Sequence, residues 1–152
     1  MDIGGFYIKM SRKDSRDFVF KELYQMDIRK CSLDEIYNGE IFENDIQDND
    51  LQYINSVITG ISENLAEIDE KISLAVKGWA FDRISKISKA ALRLAIYEIF
   101  YVDDIPESVS IYEAVELVKK YDSPKAGGFV NGTLRSIIRN TKKDEAENDT
   151  KQ

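Results

Sequence analysis

The sequence predicts an all-α domain, a compact bundle of about seven helices. Two observations carry that expectation. Only two prolines and eight glycines interrupt the 152 residues, and the apolar residues recur mainly at three and four positions, the period of a helix rather than of a strand. Size agrees with a single domain, because a chain of this length hides roughly 70% of its unfolded surface without help from a metal or a disulfide.

The elements follow in order. From Ser15 to Ile28, Phe18, Val19, Leu23 and Met26 form an apolar stripe and leave Arg16, Lys21 and Gln25 on other faces, which makes a basic amphipathic helix. Residues 31–50 are rich in Asp, Asn and Glu and predict a short helix plus a loop anchored by Ile36, Ile41 and Phe42. Ile54, Val57, Ile58, Ile61, Leu65, Ile68 and Ile72 then keep the helical spacing for many turns, a long core helix with a break expected near Asp69. Trp79, Phe81, Ile84 and Ile87 predict a short helix. Ala91, Leu92, Ala95, Ile96, Ile99 and Phe100 form the most apolar stretch, which belongs at the centre.

Asp103, Asp104 and Pro106 stop that helix, since proline lacks the amide and restricts its predecessor. Ser110 and Glu113 have the spacing of a capping box and predict the next helix start. A turn over 122–128 leads to a last helix through Val130, Leu134, Ile137 and Ile138. Residues 140–152, almost wholly polar, are expected to be disordered.

Composition removes much of ordinary enzymology. There is no histidine, so no Ser-His-Asp triad, Cys-His pair or imidazole zinc site can form, and the lone Cys31 excludes an internal disulfide. No Gly-rich phosphate loop and no Cys-x-x-Cys is present. The expectation is a protein without catalytic residue, metal or cofactor, and without a membrane span or signal peptide, placed in the cytosol.

Charge lies in blocks. Residues 9–30 carry seven basic residues against four acidic ones, residues 31–76 eleven acidic residues against Lys71 alone, and residues 77–93 five basic residues against Asp82. Such runs are often only solvated faces. Alternatively, the two basic segments converge on one anion-binding surface while the acidic one faces elsewhere.

Three stretches carry a specific resemblance. They are Met10-Ser11-Arg12-Lys13 leading to Leu23-Tyr24-Gln25, then Trp79-Ala80-Phe81-Asp82-Arg83-Ile84 with Ala91 through Glu98, and finally Glu113-Ala114-Val115-Glu116-Leu117 with Phe129-Val130-Asn131-Gly132. In this order and spacing the chain resembles the NusB family of bacterial transcription antitermination factors over residues 10 to about 139. The resemblance implies an all-helical domain of about seven helices that binds the boxA segment of nascent RNA. It also implies pairing with NusE, a small-subunit ribosomal protein, and action on RNA polymerase elongating ribosomal RNA. Some relatives self-associate through the RNA surface, which leaves a homodimer of the free protein open. Residues 1–9 precede the usual family start at Met10 and read either as an extension, expected to be disordered, or as a misassigned start.

By the same resemblance, Arg12, Lys13, Arg16, Tyr24 and Gln25 match the RNA-binding start of the family, and Phe129 matches a phenylalanine used near RNA. Single-stranded RNA is held by cations on its phosphates and by rings that stack its bases, and these residues supply both. Phe129, beside Gly127 and Gly128 at an expected helix start, would also have free amides nearby for a phosphate. Lys125 stands where relatives often have an acidic residue and would add a phosphate contact. Arg93 either touches RNA or pairs with Glu98 or Glu113. Asp82 and Ser88 mark the expected partner face. Two departures stand out: Ser88 replaces a common acidic residue, and Tyr112 stands where the family often has Asn.

The same residues leave bland alternatives. Tyr24, Trp79 and Tyr97 can be core aromatics, Asn131 and Gly132 can serve helix packing, and Glu113 and Glu116 can be cap and surface. Two competing functions remain. A purely structural helical module would bind protein and no nucleic acid, and a NusB-like domain of a ribosomal RNA methyltransferase would need a cofactor-binding domain for which this length leaves no room.

Overall fold

Eleven consecutive residues, Ser88 through Glu98, are buried in one helix, α4 (Lys86–Tyr101). A helix enclosed on all sides must be the axis of the fold. The computed structural model describes residues 11–40, 48–77 and 81–150. Around α4 stand α1 (Arg12–Arg29), α2 (Leu33–Glu40), α3 (Asp48–Ala75), α5 (Glu107–Tyr121) and α6 (Pro124–Thr150), and a 3₁₀ turn spans Phe81–Arg83. The axis packs against α1, α3, α5 and α6, and α2 packs on α1 and α3. No strand occurs among the described residues, as expected of an all-α chain, and none of their helices is long and apolar enough to cross a membrane.

Val19 and Leu23 of α1, Ile54, Ile58, Ile61, Ile68 and Ile72 of α3, Leu92 and Ile96 of α4 and Leu134 of α6 are fully buried against one another. These are the positions the helical spacing marks. Trp79, Ile41 and Phe42 lie outside the described residues.

Helix ends are where expectation and structure part. The first helix begins at Arg12, three residues before Ser15. Ser11 accepts from the Asp14 amide while Asp14 accepts from the Ser11 amide, each at 3.1 Å, a reciprocal cap that fixes the start. It closes on Lys30 in the left-handed region (φ 53°). The long helix α3 breaks at Asn64 (φ −118°, ψ 15°), not near Asp69. Asn64 satisfies the freed turn by donating its side-chain amide to the Gly60 carbonyl at 2.8 Å.

Of the short helix expected around 79–87, the described residues Phe81–Arg83 form one 3₁₀ turn. Ser85 accepts from the Ser88 amide at 3.1 Å, so α4 starts at Lys86 and takes Ile87 into itself. The capping box at Ser110 is not formed either. Proline lacks the amide that a helix start leaves orphaned, and Pro106 opens α5 one turn earlier, with Ser110 buried inside it.

A similar shift moves the last helix. Ser123 accepts from the Ala126 amide at 3.2 Å, and Pro124 fits the first helical position, so α6 begins before the glycines. Gly127, whose amide donates to the Ser123 carbonyl at 3.3 Å, and Phe129 are therefore helical. The free amides expected beside Phe129 are not there. At the other end α6 runs to Thr150, where a disordered tail was expected. Past Gly132 the sequence has neither glycine nor proline and is rich in Lys, Glu and Arg, good helix formers. Residues 142–150 are exposed throughout, tied to the body by Lys142 to Glu107 at 3.7 Å.

Candidate nucleic-acid interface

The site rests on a buried polar junction. Glu98 of α4 accepts from Arg16 Nε (2.9 and 3.2 Å), Tyr53 Oη (2.5 Å) and Ser110 Oγ (2.8 Å), and so joins α1, α3 and α5. An unpaired carboxylate there would be very costly, and three donors answer it. Burial pulls the Arg16 guanidinium down, but Glu98 beside it more than compensates and holds it above its ordinary value. Burial and the Glu98 charge both push the Tyr53 hydroxyl upward.

Arg93, the second cation in the core, is also satisfied internally. It makes a two-bond fork with Asp69 (2.8 and 2.9 Å) and a third bond to Asp27 at 3.0 Å. Its partners are therefore neither Glu98 nor Glu113. Asp69 belongs to the acidic segment, so the acidic and basic blocks meet at this pair. Lys89 lies over the Phe81 ring at 4.3 Å beside this cluster.

The remaining candidate cations are exposed. Arg12 lies on the Tyr53 ring, 4.1 Å from its centroid, and Lys13 lines a cleft of about 340 Å³ between α1 and α5 whose walls also carry Asp14, Asp17, Glu113 and Glu116. Lys120 lines the same cleft and stands 3.8 Å from the Asp17 carboxylate. Next to it, Tyr121 stacks on Phe20 and donates to Asp17 at 2.6 Å, while Lys21 reaches Asp17 at 2.9 Å. Burial raises Asp17, yet the bonds from Tyr121 and Lys21 prevail and its carboxyl sits below the ordinary value. Beyond the turn at Asp122, Lys125 and Phe129 line a groove of about 500 Å³ with Arg83, Ser85 and Ser88.

Of the residues singled out in the sequence, Arg12, Lys13 and Lys125 are exposed cations, and Phe129 is half-buried at the groove. Tyr24 and Gln25 are half-buried, with Tyr24 packed against the core. Arg16, 6% exposed, and Arg93, 4% exposed, are committed to carboxylates. Asp82 is exposed in the 3₁₀ turn, and Ser88 is a buried wall of the groove that holds Lys125 and Phe129. Sequence reasoning passed over Lys120, Tyr121 and Arg83. For Lys120 and Tyr121 the available signal was the basic end of α5 immediately before the turn.

A family model described as the NusB family matches residues 13–139. The transcription antitermination protein NusB of Acetivibrio thermocellus is 44% identical over 130 residues, 86% of this chain and 90% of that protein. The NusB of Clostridium acetobutylicum is 41% identical over 132 residues, 87% and 98% of the two chains. Among solved structures, T. maritima NusB superposes with a TM-score of 0.80 at 36% identity, over 87% of this chain and 93% of that one. A chain in the crystal structure of antitermination factors NusB and NusE in complex with dsRNA superposes with a TM-score of 0.75 at 30% identity, over 84% and 96%.

Proposed function

The chain belongs to the NusB family of transcription antitermination proteins, and on that footing we propose that it binds boxA-like single-stranded RNA. With a NusE-like partner it would hold nascent ribosomal RNA near the elongating RNA polymerase. The observation that supports this most is the set of exposed cations Arg12, Lys13, Lys120 and Lys125 together with the half-buried ring of Phe129 beside Lys125. Cations at intervals draw the phosphates, and the ring offers one base a stacking face. Catalysis is asked of none of these residues.

On this reading the partner would sit at the groove that Ser88 walls, near Asp82. There it would border Lys125 and Phe129, so RNA and partner would each favour the other's binding. That coupling must be reciprocal in free energy. The deciding experiment titrates a boxA-like RNA and a scrambled RNA across a salt series, with and without the NusE-like protein. Tighter binding of the boxA-like RNA, weakening linearly on a logarithmic salt axis, is the expected result. Equal affinity for both RNAs under every condition would sink the proposal and leave a protein-binding helical module.

A further inference from the structure

One exposed aromatic residue has no role so far. Tyr112, on α5, is 58% exposed, far more than a ring needs if its only task is packing. It lines a groove of about 570 Å³ between α5 and α6, with Val115 and Lys119 on one wall and Gly127, Gly128, Asn131 and Arg135 on the other. That volume is in the range of sites that take a small organic group. Charge at the groove favours an anion. Lys119 and Arg135 stand on opposite walls, and the single carboxylate, Glu116, is engaged by Lys119 at 3.8 Å. Asn131 accepts from Arg135 Nε at 3.1 Å and so steadies the guanidinium.

The first turns of α6 separate this groove from the one at Phe129. Ala126 and Phe129 face the Phe129 groove, whereas Gly127 and Gly128 face that of Tyr112. A Cβ built on Gly127 would meet the aliphatic stem of Lys119 at 3.2 Å, so the absent side chain seats that lysine. At Gly128 nothing lies within 4 Å of a built Cβ, which leaves a bare crest over which a strand can pass. We infer that the α5/α6 groove is a second single-stranded RNA subsite, in which a base beyond the segment at Phe129 stacks on Tyr112 while Lys119 and Arg135 hold the adjoining phosphates. This rests on the RNA-binding reading above and extends it to an aromatic residue with no other role in the fold.

The test uses the full chain and two probes, a short boxA-like RNA and the same RNA carrying a tail of about six adenosines at its 5′ or its 3′ end. One of the tails is expected to tighten binding to the parent protein by roughly five- to a hundredfold, as one stacked base would. Tyr112→Ala should abolish that gain and leave the short RNA unaffected, while Tyr112→Phe keeps it. Lys119→Ala and Arg135→Ala should each lower the salt dependence of the gain. Because Tyr112 is exposed, its replacements are expected to fold, and circular dichroism checks this. If the short RNA binds and neither tail adds affinity, or if the gain survives Tyr112→Ala, the second subsite is refuted and the first stands. Loss of NusE-like partner binding in Tyr112→Ala, with both RNAs bound as before, would assign the groove to protein and refute it equally. Failure of the parent to bind the short RNA would instead remove the underlying reading, and the subsite with it.

Discussion

Two kinds of side chain on the candidate RNA surface should fail differently when removed. Phe129 offers a ring, so Phe129→Ala should cost about 1 to 3 kcal/mol in RNA binding with little change in salt dependence. Lys125 offers only charge to a backbone phosphate, so Lys125→Ala should flatten the salt slope by roughly 0.7 to 1 unit. Fluorescence anisotropy over a salt series separates the two. If folded Phe129→Ala binds RNA like the parent, the ring's task is packing. Arg16 belongs to neither kind, despite its place in the basic opening of the chain. Glu98→Leu would leave that guanidinium buried without its partner, and breaking a buried pair in this way costs roughly 3 to 5 kcal/mol. Urea denaturation should show the loss, and a change below about 1 kcal/mol would mean that the junction is slack.

At the level of helices, α3 and α4 meet where there is no room to spare. A Cβ built on Gly60 would fall 2.0 Å from the Tyr97 hydroxyl and 2.2 to 2.3 Å from its ring, which is itself stacked on Tyr101. Gly60→Ala gains helix propensity but must displace a buried ring, and overpacking of this kind costs about 1 to 3 kcal/mol. The variant should therefore unfold at a lower temperature than the parent; equal or higher stability would show that Tyr97 moves aside freely. The helices themselves were legible where burial sets the pattern. Ala91, Leu92, Ala95 and Ile96 mark α4 as central from spacing alone. Their ends were harder to read, because signals compete locally. Gly127 and Gly128 look like a turn, yet Ser123 and Pro124 just before them satisfy a helix start. Distant pairings left no local trace at all: Arg93 finds its carboxylates 24 and 66 residues away. The candidate site was legible as a set of residue types, and which cations stay exposed emerged only once Arg16 and Arg93 had found their buried partners.

The whole molecule has a pH limit on the alkaline side. Burial and the nearby Glu22 push the Tyr37 hydroxyl up to about 12 from its ordinary 10.0, and Tyr53 is also raised. Between pH 10 and 12 the unfolded chain releases these protons while the folded chain keeps them. Stability that is intact below pH 10 is therefore lost by about 1.4 kcal/mol per pH unit for each tyrosine. Urea midpoints should fall over this window, and the double variant Tyr37→Phe/Tyr53→Phe should show a shallower fall. Equal slopes would mean that neither hydroxyl is shielded when folded.

The carboxylate of Glu98 also ties the opening turns of α1 to the centre of the fold. Helix starts ordinarily fray, and their amides exchange with solvent through small openings that leave the rest intact. Here Arg16 cannot leave without exposing Glu98, Tyr53 and Ser110 together. The amide of Arg16 is accordingly expected to exchange at a rate close to that of the core amides of α4, while those of residues 142–150 exchange early. The edge that carries Arg12 and Lys13 would thus be held in one shape before any RNA arrives, so that little ordering entropy is lost in the encounter.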